Sequence, residues 1–305
     1  MKPKTLVVVT GPTAVGKTAL CVELARVLQT EVVSADARQI YREMRIGTAR
    51  PTEEEMGGIV HHFIASHSIH QEYSAGKYES EALALLSSLF QRYDTVLLSG
   101  GSGLYIKAVC SGLDSFPDIP ATTRQQLQQE LKEKGLKALQ EELAAVDPES
   151  YAEIDLQNPR RVLRALEVCR TAHRPYSYFK QRAAAKRPFR IRGFVLNRPR
   201  PMLYERINRR VDIMMQEGLW QEAQQLFPYR HLSALQTVGY QELFESMEGK
   251  HDQATAVALI KQNTRRYAKR QLTWFRHQHP EFEWIDIEGA STSQVIEHIL
   301  SRLHS

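Results

Sequence analysis

The residues best suited to chemistry form a phosphate-binding loop near the start of the chain. Between an apolar segment, Leu6 to Val9, and a helix predicted to begin near Lys17, the sequence follows the pattern G-x-x-x-x-G-K-T. Glycines let backbone N–H groups turn toward phosphate oxygens, Lys17 adds positive charge, and the Thr18 hydroxyl is placed to hold Mg²⁺. The pattern predicts a site for a diphosphate or triphosphate, made by Gly11, Pro12, Thr13, Ala14, Val15, Gly16, Lys17 and Thr18.

Asp36 is the strongest candidate for a catalytic carboxylate. It follows a second early apolar segment, and the carboxyl ends of parallel strands share one edge, so we expect it beside the phosphate loop. The apolar segment at 94–99 runs into a second glycine-rich turn, Gly100 to Tyr105, and lacks the Mg²⁺-orienting Asp of most hydrolytic phosphate-loop enzymes. Asp36 is therefore interpreted as a metal ligand or general base, with a cap on the following turn as the alternative.

Positive charge is concentrated in one part of the chain. Between Asp155 and Arg210 stand sixteen Lys or Arg and three acidic residues, a local balance of +13 in a chain of net charge +5. This asymmetry indicates a polyanionic partner, with nucleic acid the leading candidate and a basic lid over a nucleotide the alternative. Aromatic residues in the stretch either stack on unpaired bases or belong to the core. They are Tyr176, Tyr178, Phe179, Phe189 and Phe194.

Length and composition are typical of a soluble enzyme, and the cysteine pattern predicts a reducing cytoplasm. The chain has 305 residues, 42% of them hydrophobic, which is enough for a substantial core. No apolar run reaches the length of a membrane span, and the start leads directly into the first strand, so neither a membrane segment nor a signal peptide is expected. Cys21, Cys110 and Cys169 lie in apolar helical patterns and are predicted to be buried thiols, and the histidines lack a zinc-binding framework.

Hydrophobic periodicity predicts an α/β core interrupted by a helical insertion. Apolar strands at 6–9, 94–99 and 193–196 alternate with helices at 81–90 and from Gly103, as in βαβ units of a three-layer α/β/α sheet. Residues 121–187 are almost wholly helical in pattern, with segments at 124–134, 136–145 and 160–171. Helical segments at 202–227 and 255–277 and a last strand at 283–287 follow. The predicted domains are a core of 1–116 with 190–305 and an insertion of 117–189.

Several motifs in this order resemble one family from end to end, the tRNA dimethylallyltransferases of bacterial type. The phosphate loop is the first of them. The others are Ser34-Ala35-Asp36 with Gln39-Ile40-Tyr41, Ile46 to Thr52, Gly100-Gly101-Ser102-Gly103-Leu104-Tyr105, Asn158 to Val168, Val238-Gly239-Tyr240, and Lys269 to Phe275. The resemblance implies a P-loop NTPase-like fold and transfer of a dimethylallyl group from dimethylallyl diphosphate to the exocyclic amine of the adenosine 3′ of the anticodon.

The resemblance also implies residue roles. Asp36 matches the general base, Thr13 is placed to touch the bridging oxygen, and Lys17, Arg210 and Mg²⁺ on Thr18 stabilise the leaving diphosphate. Ser102 stands where Thr is commoner in the family and keeps the hydroxyl. The residues implied in binding the tRNA anticodon stem-loop are Asp36, Ala37, Arg38, Gln39, Ser102, Arg124, Arg160, Arg161, Val162, Leu163 and Arg164. The expected protein is a monomer with no membrane partner.

Three other functions remain open from the residues alone. A small-molecule or nucleotide kinase, binding ATP with the helical insertion as a lid, explains the phosphate loop but not the Gly100 to Tyr105 motif. A noncatalytic RNA-binding switch would need a base-recognition motif and a second-strand Asp, which the sequence lacks. A prenyltransferase acting on free adenine nucleotide would not need so basic an insertion.

Overall fold

The computed structural model describes residues 3–180 and 185–303, and these divide into two compact units. The first unit holds the chain before 111 and after 186, and the second holds 111–186. The ends of the second unit pair with each other, since the Ala185 N–H donates to the Ser111 carbonyl at 2.8 Å. In the first unit, Arg187 donates to the carbonyls of Ala108 and Val109. Hydrogen bonds thus hold the two ends of the second unit close together.

The first unit is built on a six-stranded parallel sheet. Its strands are β1 Thr5–Thr10, β2 Val32–Ser34, β3 His61–His62, β4 Thr95–Gly100, β5 Arg190–Asn197 and β6 Glu283–Asp286. Their order in the sheet is β3-β2-β4-β1-β5-β6. The central strand β1 is flanked by β4 and β5, with Thr10 level with Gly100 and Val195. The phosphate loop therefore leaves the middle of the sheet at its carboxyl edge.

Helices cover both faces of this sheet, which explains the uninterrupted apolar run of β1. Val7 and Val9 pack in one buried cluster, whereas Leu6 and Val8 pack in the other, and all four side chains are fully buried. A strand buried on both faces reads as continuous Val, Ile and Leu. The predicted three-layer α/β architecture is confirmed. Its helices are α1 Lys17–Leu28, α2 Glu53–Met56, α3 Ala75–Arg92, α4 Gly103–Ser111, and then α8 Arg200–Gln216, α9 Leu219–Leu226, α10 Tyr240–Met247, α11 Gln253–Gln278 and α12 Thr292–Leu303.

The second unit is all helical within its described residues. It consists of α5 Ala121–Val146, α6 Pro148–Glu153, α7 Pro159–Ala172 and a 3₁₀ helix at Tyr176–Lys180. Gly135 interrupts α5 with a non-helical backbone (φ 78°, ψ 172°), which agrees with the two predicted segments on either side of it. Arg170 joins α7 to α5 by pairing with both Glu130 and Glu142 at 2.6–3.1 Å. The pattern predicted for 181–184 lies outside the described residues.

Three sequence expectations need correction. The helix expected from residue 81 begins at Ala75, because the Ser74 hydroxyl accepts the Lys77 N–H and caps it earlier. The segment at 202–227 is two helices, α8 and α9, because Gly218 adopts a left-handed backbone (φ 102°) between them. The periodicity did not reveal α10 or α12. The three cysteines are buried free thiols as predicted.

In the described part of the chain, no helix combines the length and apolar character that crossing a membrane requires.

Gly100 lets two strand ends meet at the site. A Cβ on Gly100 would lie 2.1 Å from the Ala35 carbonyl oxygen, so β2 and β4 can approach this closely only without a side chain there. The neighbouring Ser102 N–H then donates to that same carbonyl at 3.1 Å. This contact holds the turn after β4 against the turn that carries Asp36.

We predict that Gly100→Ala lowers the free energy of unfolding by about 1–3 kcal/mol, because the added methyl group forces two backbones apart. Gly76→Ala in the first turn of α3 is the control, since its nearest neighbour lies at 3.9 Å. That variant should be neutral or slightly stabilising. Urea unfolding followed by circular dichroism measures both, and equal stabilities for the two variants would contradict the close approach.

Candidate active site

A cleft of about 1320 Å³ opens at the carboxyl edge of the sheet, within the first unit. Its walls are the phosphate loop, the turn at Asp36, the segment 45–52, the turn at Gly100 to Ser102, and side chains of α8 and α11. The sequence-predicted Thr13, Lys17, Thr18, Asp36, Ala37, Arg38, Gln39, Ser102 and Arg210 all line it. The topology thus brings the predicted phosphate site and the predicted base into one cavity.

Cationic side chains hold the carbonyl groups of the phosphate loop. Lys17 Nζ donates to the carbonyls of Gly11 and Pro12, both at 2.9 Å. Arg206 Nε donates to the Ala14 carbonyl at 2.8 Å, and Arg198 Nε donates to the Val15 carbonyl at 3.0 Å. These bonds fix the carbonyl groups of the loop, and the first N–H groups of the helix that follows it are available to an anion.

Helix α1 begins at Lys17 without a side-chain cap. Its N-cap residue is Gly16, with φ 114°, and the first turn contains no acidic residue. The first N–H groups of a helix have no partner within the helix and carry partial positive charge, so an anion is stabilised there. Thr18 lies in this first turn and lines the cleft. The local structure fits the predicted phosphate site.

Lys17 sits in surroundings that disfavour its own charge. Its pKa is lowered to about 8, chiefly by burial and also by the Arg210 guanidinium, against the opposing effect of the Asp36 carboxylate. The pKa of Arg210 is lowered too, by burial and by neighbouring Arg206. Two cations desolvated side by side indicate a site whose charge balance requires an anion.

The Asp36 carboxylate is held by the backbone that follows it. Its Oδ1 accepts the N–H groups of Arg38 at 2.9 Å and Gln39 at 3.2 Å. The capping role weighed for Asp36 is therefore present, and it uses one oxygen. Among the described residues, no N–H or O–H group donates a hydrogen bond to Oδ2. Capping and proton transfer are compatible because they engage different oxygens.

The predicted tRNA contacts on this turn hold neighbouring protein segments. Arg38 Nη1 donates to the Ala234 carbonyl at 3.1 Å, and Gln39 Nε2 donates to the carbonyls of Thr48 and Ala49. The Ser102 hydroxyl accepts the Ala37 N–H at 2.8 Å. These side chains shape the turn at Asp36 whether or not they also contact a ligand.

The predicted contacts on the second unit differ in exposure. Arg160 and Arg161 are exposed at the start of α7, and Arg124 is half-buried on α5. Arg164 pairs with Glu167 at 3.3 Å and lies over the Phe116 ring, whereas Leu163 is half-buried. Val162 is fully buried in the core of this unit, so its side chain is not available to RNA. That interpretation is corrected: the motif follows an amphipathic helix, and position 162 lies on its apolar face.

Ion pairing reduces the free charge of the basic stretch. Several of the cations counted between Asp155 and Arg210 form ion pairs with carboxylates that lie outside that stretch. These pairs are Arg170 with Glu130 and Glu142, Lys180 with Glu153, Arg187 with Glu79, and Arg198 with Glu288. The local charge count therefore overstates the positive surface presented to a polyanion.

Most aromatic residues of the stretch are structural. Tyr176 stacks on Phe116 at 4.8 Å, Phe189 packs against Phe90 at 5.2 Å, and Phe194 is buried in the sheet. Tyr178 is the exception, with 53% of its surface exposed. Phe179 is half-buried, and its ring lies 6.0 Å from that of Phe116. Packing against other rings or in the core therefore describes four of the five residues, and exposed Tyr178 stays a candidate for stacking.

Sequence reasoning missed two residues that shape the cleft. The Glu222 carboxylate on α9 accepts the N–H groups of residues 45, 46 and 47 and the Tyr240 hydroxyl, at 2.6–3.0 Å, and so holds one wall of the cleft. Tyr267 on α11 lines the cleft, and its pKa is raised to about 12 by burial of its hydroxyl and by the Asp36 carboxylate. Tyr240 belongs to a quoted motif, but no local pattern points to Glu222.

Comparison with known proteins gives one consistent result. A family model described as IPP transferase matches residues 39–278. The chain is 47% identical to a tRNA dimethylallyltransferase of Phocaeicola vulgatus, over 90% of this chain and 91% of that one, and 45% identical to one of Christiangramia forsetii, over 98% and 99%. The crystal structure of a full-length tRNA isopentenylpyrophosphate transferase from Bacillus halodurans superposes with a TM-score of 0.73 at 36% identity, covering 99% of this chain and 96% of that one.

We predict that an unreactive alkyl diphosphate binds about tenfold more weakly at pH 9 than at pH 7. Lys17, with a pKa of about 8, loses its proton as the pH rises through that value, and only the charged form attracts the anion. Calorimetry at pH 8.5 in buffers of different ionisation enthalpy should also detect proton uptake on binding. Lys17→Arg, which stays protonated, should abolish the uptake and the pH dependence. Wild-type affinity that is constant from pH 7 to 9 would contradict the prediction.

Proposed function

This chain belongs to the IPP transferase family, and on that premise we propose that it transfers the dimethylallyl group of dimethylallyl diphosphate to the exocyclic amine of the adenosine 3′ of the anticodon in tRNA. The product is N6-isopentenyladenosine. The observation that carries the proposal is that the phosphate loop and Asp36 line one cleft and that Lys17 and Asp36 interact electrostatically. The phosphate loop can therefore bind the leaving diphosphate on one side of the reacting carbon while Asp36 binds the attacking amine on the other.

The phosphate loop stabilises the leaving group. As the allylic carbon–oxygen bond breaks, its electron pair departs with the bridging oxygen, and negative charge grows on the diphosphate. In this proposal Lys17, Arg210 and the first N–H groups of α1 stabilise this charge, and the Thr13 side chain contacts the bridging oxygen. Preorganised donors of this kind stabilise the transition state because they need not reorganise as charge develops.

Mg²⁺ is the proposed cofactor, and the residues present fit it. Thr18 places a hydroxyl in the first turn of α1, and no group of three or more His, Cys, Asp or Glu suited to a metal occurs among the described residues. Mg²⁺ commonly binds through few protein ligands and several substrate phosphate oxygens. When bound, it neutralises diphosphate charge.

Asp36 is the proposed general base. The adenine amine is a weak nucleophile because its lone pair is delocalised into the ring. Its lone pair forms the new nitrogen–carbon bond while the Asp36 carboxylate accepts a proton from the same nitrogen. The Oδ1 hydrogen bonds to the Arg38 and Gln39 N–H groups fix the carboxylate plane, so Oδ2 is presented in one orientation.

The second unit is the proposed tRNA-binding insertion. A base inside the anticodon loop must leave its stack before its amine reaches a cleft, which costs a few kcal/mol. Arg160 and Arg161, exposed at the start of α7, and half-buried Arg124 are the proposed contacts to tRNA phosphates. We further propose that the enzyme acts on tRNA in the cytoplasm, as a monomer.

A transfer assay tests the function directly. Radiolabelled dimethylallyl diphosphate and Mg²⁺ are incubated with unmodified total tRNA or with AMP, and γ-labelled ATP serves as a separate control. We expect label in tRNA alone. Label in AMP would favour a free-nucleotide acceptor, and phosphate transfer from ATP without prenyl transfer would favour the kinase, which the comparisons do not support.

Asp36→Asn is expected to lower kcat by at least about 10²-fold while the dissociation constant for tRNA stays within about twofold, because the amide keeps the Oδ1 acceptor but is not a base. Asp36→Ala should lose turnover similarly and also loosen the turn. Single-turnover rates and filter binding separate the two effects. A variant that loses affinity but keeps turnover would rule out the base assignment.

Arg161→Ala is expected to weaken tRNA binding and to reduce the slope of log affinity against log salt by about one, as for the loss of one phosphate contact. Lys137→Ala is the matched control, since Lys137 is an exposed cation of the same unit with 88% of its side chain accessible. Titrations over a range of salt concentrations compare the two. If both variants change the slope equally, Arg161 has no specific role.

A further inference from the structure

Gln271 on α11 joins the two glycine-rich segments of the site through its carboxamide. The side chain is buried, with 6% of its surface exposed. Its Oε1 accepts the Thr13 N–H at 2.9 Å, and its Nε2 donates to the Gly101 carbonyl at 2.8 Å. A Cβ on Gly101 would lie 2.4 Å from Nε2, so the glycine is what allows the amide this close. A single side chain thus bridges the phosphate loop and the turn after β4.

The bridge extends from the leaving-group side of the cleft to the base. Gly101 is followed by Ser102, whose hydroxyl accepts the Ala37 N–H at 2.8 Å. Ala37 follows Asp36 directly, and Asp36 Oδ1 is bound to the next two N–H groups. A continuous series of hydrogen bonds and peptide links therefore runs from Thr13 through Gln271 to Asp36.

We propose that Gln271 is a positioning residue that holds the phosphate loop and the Asp36 turn at the separation prenyl transfer requires. This inference rests on the proposed function and deepens it. Displacement at an allylic carbon needs the leaving oxygen and the attacking nitrogen on opposite sides of that carbon, and an error of about 1 Å can cost 10²-fold in rate. The Thr10 hydroxyl also donates to the Gly100 carbonyl at 2.8 Å and Cys21 Sγ to Ser99 Oγ at 3.2 Å, but these contacts join the end of β1 and helix α1 to β4, whereas the Gln271 bridge joins the two turns themselves.

The carboxamide suits this position because it offers an acceptor and a donor on one rigid plane. The Thr13 N–H requires an acceptor, and the Gly101 carbonyl requires a donor. A Glu carboxylate satisfies only the first requirement, whereas a protonated Glu carboxyl satisfies both. Burial and an adjacent carbonyl oxygen disfavour the charged form, so the pKa of a carboxyl placed here would be raised. The chemistry of the bridge can therefore be switched by pH in a single variant.

The test uses the full chain with Gln271→Met, Gln271→Glu and the control Thr30→Val. Thr30 donates its hydroxyl to the Thr95 carbonyl at 2.6 Å, so Thr30→Val also removes a part-buried hydrogen bond, but outside the cleft. We expect Gln271→Met to lose about 10- to 100-fold in kcat for transfer to tRNA, with little change in the KM for tRNA. Thr30→Val should keep wild-type kcat.

Gln271→Glu supplies the sharper readout. At pH 8.5 it should be as impaired as Gln271→Met, and its kcat relative to wild type should rise at least several-fold as the pH falls to 6, because the protonated carboxyl restores the donor. The ratio for Gln271→Met should not change with pH. A Gln271→Glu ratio that is low and independent of pH, or a Gln271→Met kcat within twofold of wild type, would overturn the proposal.

Binding of an unreactive alkyl diphosphate separates this inference from the proposed function. If the wild-type chain transfers no label to tRNA, the proposed function fails, but the bridge is still measurable. Gln271→Met should then bind the diphosphate several-fold more weakly than Thr30→Val, because Thr13 is released, and equal affinities would overturn the bridge. Should Gln271→Met not fold, the ratio of the Gln271→Glu to the wild-type diphosphate affinity decides instead, because the pH dependence due to Lys17 is common to both. The ratio should rise as the pH falls from 8.5 to 6, and a ratio that is low and constant would overturn the bridge.

Discussion

The phosphate loop can keep one shape only if its buried backbone groups find hydrogen-bond partners elsewhere in the chain. A backbone carbonyl left buried without a partner is unfavourable, so each must find a donor. In this chain Lys17, Arg198 and Arg206 supply those donors, while Gln271 fixes the Thr13 N–H. The anion site is therefore shaped as much by the cations behind the loop as by its glycines.

This requirement links distant parts of the chain. The loop follows β1, yet Arg198 and Arg206 come from the end of β5 and from α8, and Gln271 comes from α11. All three lie beyond the helical unit in the sequence, so the site is completed only when the later part of the chain folds onto the earlier part. The order β4-β1-β5 at the centre of the sheet makes this possible, because it places these ends side by side.

What could be predicted from the sequence follows the range of the interactions involved. The phosphate loop, the main strands and the position of Asp36 depend on local pattern and on the shared edge of a parallel sheet, and both are readable in one sequence. The roles of Gln271 and Glu222 depend on contacts with segments far away in the chain, which leave no local signal. Val162 and the count of +13 misled for a related reason: burial of one helix face and pairing of charges are properties of the folded chain.

Because the two ends of the helical unit are held together, its length has little effect on the stability of the first unit. Ala185 pairs with Ser111, and Arg187 pairs with the last turn of α4. The chain therefore leaves the first unit and returns to it at neighbouring points, as it would around a short loop. The entropy of closing a loop depends only weakly on its length once its ends are held together. A helical unit of different length could therefore be accommodated with little thermodynamic penalty to the sheet.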